Sequence, residues 1–368
     1  MKVTFPHMGT IAIPMKAFLQ EAGLEVIPPP PTSKRTLTLG SRHAPEFACL
    51  PLKINLGNYL EALERGADTI IMAGGVGPCR FGYYGEVQRE ILRSLGYECR
   101  FLIFEPPGGD LGSLMATCRE FFTGVTPRAL IRAGRIAWAK FQAVDKLWQA
   151  SLWARPREGT PGSTTGLLRE LLAKLDRASS IATVRQQVQE GTSQLRALAS
   201  GEPRLSLALV GEIYVVLDPF TNQELEERLG LMGVEVHRTI YLSEWIRRHL
   251  VLDFLRIQPK GSAPALARGY LNHKVGGHGL ETVANTVLAA RRNFDGVVHL
   301  APFTCMPEIV AASILPTVSS QENIPVLTVV LDEHTGEAGL VTRLEAFVDM
   351  LVRQKRQGRQ NRGLLSWA

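Results

Sequence analysis

The chain alternates between two hydrophobic rhythms. Short apolar runs at 2–6, 24–27, 68–73 and 99–104 read as strands. Between them, apolar positions recur at three- and four-residue spacing over 13–22, 52–65 and 83–95, which predicts amphipathic helices. Gly23, Gly66 and Gly96 stand where those helices stop, each just ahead of a strand, and the Pro28–Pro31 run closes the second strand. Repeated βα units of this kind predict a parallel sheet. From about residue 110 to 200 the strand-like runs vanish. Helical periodicity fills 121–153, 166–175 and 180–198, the first of these rich in Arg, Lys and Trp, with 159–165 as a flexible link. After Pro203 the first rhythm returns, with strands expected at 205–210, 234–238, 296–301 and 325–331 and helices at 221–229, 281–292, 308–320 and 339–354.

The expected fold class is therefore α/β: two Rossmann- or flavodoxin-like lobes with parallel sheets at 1–110 and 204–352, plus a helical middle region at 111–203 and a basic tail at 353–368. The lobes read as weak repeats of each other. Asp68-Thr69-Ile70-Ile71 leads to Cys79, and Asp295-Gly296-Val297-Val298 leads to Cys305.

Composition narrows the picture. A chain of 368 residues exceeds one ordinary core, and 45% hydrophobic with 21% charged residues is the balance of a folded soluble protein. No run of about 18 apolar residues predicts a membrane span. The N-terminus enters a strand without the pattern of a secretory signal, so a cytoplasmic location is expected, with no membrane partner. The net charge of +6 is concentrated in Arg353, Lys355, Arg356, Arg359 and Arg362, without which the body is close to neutral. Such a tail is expected to be a solvated end. No basic groove interleaved with aromatics is expected elsewhere, so nucleic acid is not an expected partner.

The candidate chemistry lies in the cysteines. Five of them, an odd number without an export signal, argue against a disulfide framework. Cys49-Leu50-Pro51 and Cys305-Met306-Pro307 each open a helical segment, and Cys79 ends the glycine-rich turn Gly74–Cys79. Proline suits the first helical turn because its missing N–H costs nothing there. A cysteine just ahead of it meets free N–H groups and the positive end of the helix dipole, which favour a thiolate, the form that binds metal. Gly75 and Gly77 let backbone approach an inorganic sulfide closely. The same turn is a poor phosphate loop, since both the P-loop and Rossmann glycine spacings fail. Three thiols on three loop-to-helix junctions thus point to a metal cluster at Cys49, Cys79 and Cys305. Zinc is the rival metal, although the usual C-x2-C pairs are absent. Cys99 and Cys118 fall in apolar runs and read as packing. In parallel sheets, ligands bind beyond the carboxyl ends of the strands. That position makes His7, His334 and Glu337 candidates for substrate-facing roles, with capping of turns and helices as the plainer alternative. Glu308 has the same alternative as a charge at a helix start.

The segments 46–53, 74–82, 211–220 and 332–339 resemble the 2-hydroxyacyl-CoA dehydratase component D superfamily, most closely the small proteins related to acyl-CoA dehydratase activases. The resemblance spans both α/β lobes. It implies a [4Fe–4S] cluster bound through three cysteines, here Cys49, Cys79 and Cys305, with one iron open to substrate or solvent. It implies an ATP-hydrolysing activase as donor of a low-potential electron. In the dehydratases that electron makes a ketyl radical on a 2-hydroxyacyl-CoA, and water leaves. The resemblance also implies pairing with a second copy or with a related dehydratase-like subunit. Some relatives fuse two cubanes, which takes six thiolates. Five cysteines in this chain favour a single cubane. No residue pattern specifies a CoA pocket. Three readings follow: a reductase or dehydratase component, a non-catalytic electron-transfer or accessory protein that docks the activase, and a cluster-free α/β protein that binds a small molecule.

Overall fold

The computed structural model describes residues 1–75, 77–104, 117–119, 121–248 and 263–365. Among them, eight strands form two four-stranded sheets, parallel throughout. The first contains β1 (Lys2–Thr4), β2 (Glu25–Val26), β3 (Thr69–Ala73) and β4 (Arg100–Phe104), in the order β2-β1-β3-β4. The second contains β5 (Leu205–Gly211), β6 (Val234–Arg238), β7 (Gly296–Pro302) and β8 (Val326–Leu331), in the order β6-β5-β7-β8. The two orders are the same, so the expected repeat is real at the level of topology. β3 and β7, the strands that lead to Cys79 and Cys305, hold equivalent places. In each sheet the chain winds one way from the first strand to the second and the other way to the third and fourth. The switch point therefore lies between β1 and β3 in one lobe and between β5 and β7 in the other, where ligands of such sheets bind.

The helices that matter for the site start as their sequences dictate. α1 (Ala12–Glu21) follows β1. α2 (Lys34–His43) opens with a capping box between Ser33 and Thr36. α3 (Leu50–Glu64) has Cys49 as N-cap and Pro51 in its first turn, and α4 (Phe81–Ser94) begins two residues after Cys79. α2 and α3 cross with almost no gap, because Gly40 faces the Lys53 carbonyl and Gly57 faces that of Thr36.

The helical region packs against both lobes. Its helices are α5 (Pro127–Ala154), α6 (Ser163–Arg177) and α7 (Ile181–Ala197). Their buried faces, including Val144, Leu147, Leu171, Leu175 and Leu195, join one apolar cluster with Leu205, Leu207, Val234 and Val236 of the second sheet. These helices cover a face of the C-terminal sheet, and α5 also packs along α1 of the first lobe. Periodicity shows that a helix has an apolar face; it does not show which surface that face covers.

The C-terminal lobe continues with α8 (Ile213–Leu217), α9 (Leu225–Leu231), α10 (Leu242–Ile246), α11 (Ala263–Leu266), α12 (Gly279–Arg291), α13 (Met306–Gln321) and α14 (Glu337–Leu365). α13 copies the start of α3, with Cys305 as N-cap and Pro307 in the first turn. α14 runs past the expected end at 354 and takes in most of the basic tail as helix. Arg, Lys and Gln are good helix formers, and Lys355 is anchored 2.8 Å from Asp295.

The lobes are clasped by Asp218. Its buried carboxylate accepts from the Gly9 N–H and the Thr32 hydroxyl, both at 3.0 Å, and from the N–H and hydroxyl of Thr221 at 2.8 and 2.7 Å. Burial alone would raise its pKa. The donors, with His7 the largest favourable influence, outweigh burial and hold it below the ordinary carboxylate value.

Candidate functional site

The three cysteines are carried on loops that meet between the lobes. Cys49 and Cys305 are buried and belong to one apolar cluster with Tyr84 and Phe101, and Cys79 is half-buried. Each sulfur sits at the N-terminus of a helix, where the backbone N–H groups of Leu52, Phe81 and Glu308 respectively stabilise its charge. The Cys49 sulfur also lies 2.6 Å from the Tyr84 hydroxyl.

These donors do not offset burial. Desolvation pushes Cys49 up to about 12 from an ordinary 9.0, and it raises Cys79 and Cys305 as well. The thiols feel one another: charge on Cys79 raises Cys49, and charge on Cys49 raises Cys305. Glu212, at the end of β5, raises all three. Part of Glu212 reaches solvent, yet its carboxyl lies deep among protein atoms, and that burial lifts its own pKa from 4.5 to about 7 against the N–H groups of Tyr214 and Val215. In the metal-free chain the thiols are therefore protonated at neutral pH. Each holds its proton more tightly folded than unfolded, so folding stability is full below pH 9.0 and falls as pH rises from there through about 12, the value for Cys49. Thermal melts of metal-free protein between pH 8 and about 10.5 are expected to show a steeper fall than melts of the variant with all three cysteines changed to alanine. Parallel curves would remove the thiols as the cause.

One side chain ties the three loops together. Arg80 follows Cys79 directly, and its guanidinium donates to the carbonyl of Phe47, 3.2 Å away, and to the carbonyl and hydroxyl of Thr304. The Thr304 hydroxyl in turn donates to the Phe47 carbonyl at 2.9 Å. Thr304 adopts φ 63°, which a β-branched residue rarely does. Strain of this kind persists where surrounding contacts enforce it, and it collects at functional sites. A second glycine-rich loop, Gly276-Gly277-His278-Gly279, closes on the same place. A Cβ on Gly276 would stand 2.6 Å from the Cys79 nitrogen, and one on Gly277 would stand 3.7 Å from the Cys79 sulfur.

The other sequence candidates are placed as follows. Gly75 packs against Gly82 at the start of α4, and Gly77 takes φ 128°, so both shape the loop that presents Cys79. His7 is half-buried beside Asp218, with its Nδ1 at 3.8 Å, and belongs to the interlobe clasp. His334 is exposed, and its backbone N–H donates to Asp332. Glu337 is exposed at the start of α14 and pairs with Arg228 at 2.6 Å. From that loop it is Glu333 that reaches inward, to the buried Lys53 on α3. Glu308 is buried, its Oε2 2.9 Å from both His299 Nε2 and the Thr282 hydroxyl, while its Oε1 has no partner among the described residues. Cys99 packs at the edge of the N-terminal lobe core, and Cys118 is half-buried. Sequence reasoning missed Arg80, Thr304, Tyr84, Glu212 and the second glycine loop. Only the last had a linear signal, three glycines within residues 276–279.

Among the described residues, no three His, Cys, Asp or Glu side chains converge closely enough to hold a single metal ion. The donor set is all thiol and therefore chemically soft, with an N–H group at each sulfur and a glycine loop close to Cys79. No protein-family model matches the chain, and a search of curated proteins returns no match. No helix among the described residues is long and apolar enough to cross a membrane.

Proposed function

We propose that this chain is an iron–sulfur protein in which Cys49, Cys79 and Cys305 hold a [4Fe–4S] cluster. The observation that carries the reading is the junction itself, where three thiols at three helix N-termini are drawn into mutual electrostatic range by one arginine. When bound, the cluster supplies a low-potential electron and, at an iron without a cysteine, a Lewis acid. The chain's own residues do the rest. The helix-terminal N–H groups stabilise the thiolates, Arg80 fixes the loop spacing, and the apolar packing around Cys49 and Cys305 excludes water.

Four exposed apolar side chains surround the junction in sequence: Phe47, Tyr83, Phe303 and Ile309. Exposed apolar groups around a polar centre favour contact with another protein. They support docking of an ATP-hydrolysing activase as electron donor, in the cytoplasm, with a second copy or a related subunit completing the assembly. The resemblance, rather than this surface, extends the reading to reduction or dehydration of a small substrate, CoA-linked or not. Iron and sulfide analysis of anaerobically purified protein is expected to return about four irons per chain with broad charge-transfer absorption. Protein that neither retains nor takes up iron and sulfide would leave a cluster-free small-molecule-binding scaffold. ATP-dependent turnover of 2-hydroxyacyl-CoA with the activase separates a catalytic component from an accessory electron carrier.

A further inference from the structure

The helical layer contains a basic cleft that the linear reading did not find. α5 and α7 run parallel, since their C-terminal ends are joined by the Glu158–Ala199 bridge and by the Ser200 N–H on the Arg157 carbonyl at 2.7 Å. Between them lies an open cleft of about 920 Å³. Along its middle the apolar lining is small, with Ala139, Ala143 and Ala150 from α5 and Val184 and Val188 from α7, while Trp138, Trp153 and Ile181 stand toward its ends. Arg135, Lys146, Arg185 and Arg196 line it as well, and none of the four has an ion-pair partner among the described residues. The lining contains no carboxylate. The one acid of α5, Asp145, is buried and accepts from the Ser243 N–H, and the one acid of α7, Glu190, bonds Gln186 outside the cleft.

We propose that this cleft docks an acidic amphipathic helix of a partner protein. Charge selects the sign of the occupant, because four unpaired cations along two helices lack a counter-charge. Shape selects a helix. Arg135 and Trp153 are 18 positions apart on α5, a span of about 27 Å at the usual rise per residue. Alanines and valines between the helices let a third helix approach to ordinary packing distance. Trp138 also lines the cleft and supplies an aromatic anchor of the kind on which interfaces depend. Nucleic acid fits less well. The cations are strung along the cleft, and the Trp153 ring is already covered by the Arg157 guanidinium at 4.5 Å, leaving less aromatic surface for bases to stack on. This inference does not depend on the cysteine site.

The test uses the full chain and a synthetic 18-residue amphipathic peptide with leucine and alanine on one face and glutamates flanking it. A scrambled peptide of equal composition and poly(U) RNA are run alongside. Tryptophan fluorescence of the full chain, compared with that of a Trp138→Phe variant, reports on the cleft, and circular dichroism reports on the peptide. Saturable binding with a gain in peptide helicity is expected, about tenfold weaker for the scrambled peptide and about tenfold weaker for the Arg135→Glu/Arg185→Glu double variant. A melt of the double variant checks its folding, and Arg196→Glu serves if that variant melts early. Equal binding of the scrambled peptide, unchanged binding by the charge variants, or tighter binding of poly(U) would overturn the proposal.

Discussion

Cys305→Ala is expected to lower the iron of anaerobically loaded protein from about four atoms per chain to below one, with the charge-transfer absorption lost in parallel. Cys49→Ala and Cys79→Ala should do the same, and Cys118→Ala should leave iron content unchanged. The contrast is informative because the folding cost is small. Removing a buried sulfur leaves a cavity of less than a leucine's volume, worth on the order of 1 kcal/mol, which a chain of this size survives. Loss of metal in a variant that melts normally therefore reports ligation. The thiols also enter metal binding protonated, since burial holds all three above their ordinary value. Loading should release about three protons per chain and proceed more readily at pH 8.5 than at pH 7. Equal iron loss from Cys118→Ala and Cys305→Ala would refute the ligand assignment.

The largest effects on stability are expected from adding a Cβ at the α2–α3 crossing, as in Gly57→Ala. An added Cβ would stand 1.9 Å from the Thr36 carbonyl oxygen, and at Gly40 it would stand 1.7 Å from that of Lys53. Alanine in a helix gains about 1 kcal/mol over glycine from propensity. Overpacking ordinarily costs 1–3 kcal/mol, and here the obstacle is backbone, which cannot rotate away, so a net loss of about 3 kcal/mol or more is expected. Gly134→Ala, in a helix with nothing within 4 Å of the new Cβ, should stabilise by about 0.5–1 kcal/mol. Chemical denaturation of the two variants checks both signs. Because α3 begins at Cys49, Gly57→Ala should also weaken metal loading. A neutral result at Gly57 would mean that α2 and α3 do not cross as closely as described.

The sheets were legible because their signals are local. Apolar runs such as Thr69–Ala73 and the glycines that end the preceding helices carry the parallel α/β pattern without reference to anything distant. Two helix starts were legible for a similar reason, since Cys49-Leu50-Pro51 and Cys305-Met306-Pro307 mark them by their own chemistry. What joins those starts was not. Arg80 acts through carbonyls at residues 47 and 304, and a carbonyl leaves no mark in a sequence. The loop at 332–337 shows the same limit. His334 and Glu337 have suggestive side chains, but the turn sends Glu333 inward instead. The surface covered by the helical region was not legible either, because an apolar stripe does not name its partner.

Cys49 and Cys79 ride on one sheet's loops, while Cys305 rides on the other's. A rigid rotation of one half of the molecule against the other would leave the first two sulfurs at a constant separation and change only their distances to the third. The triad therefore works as a built-in caliper.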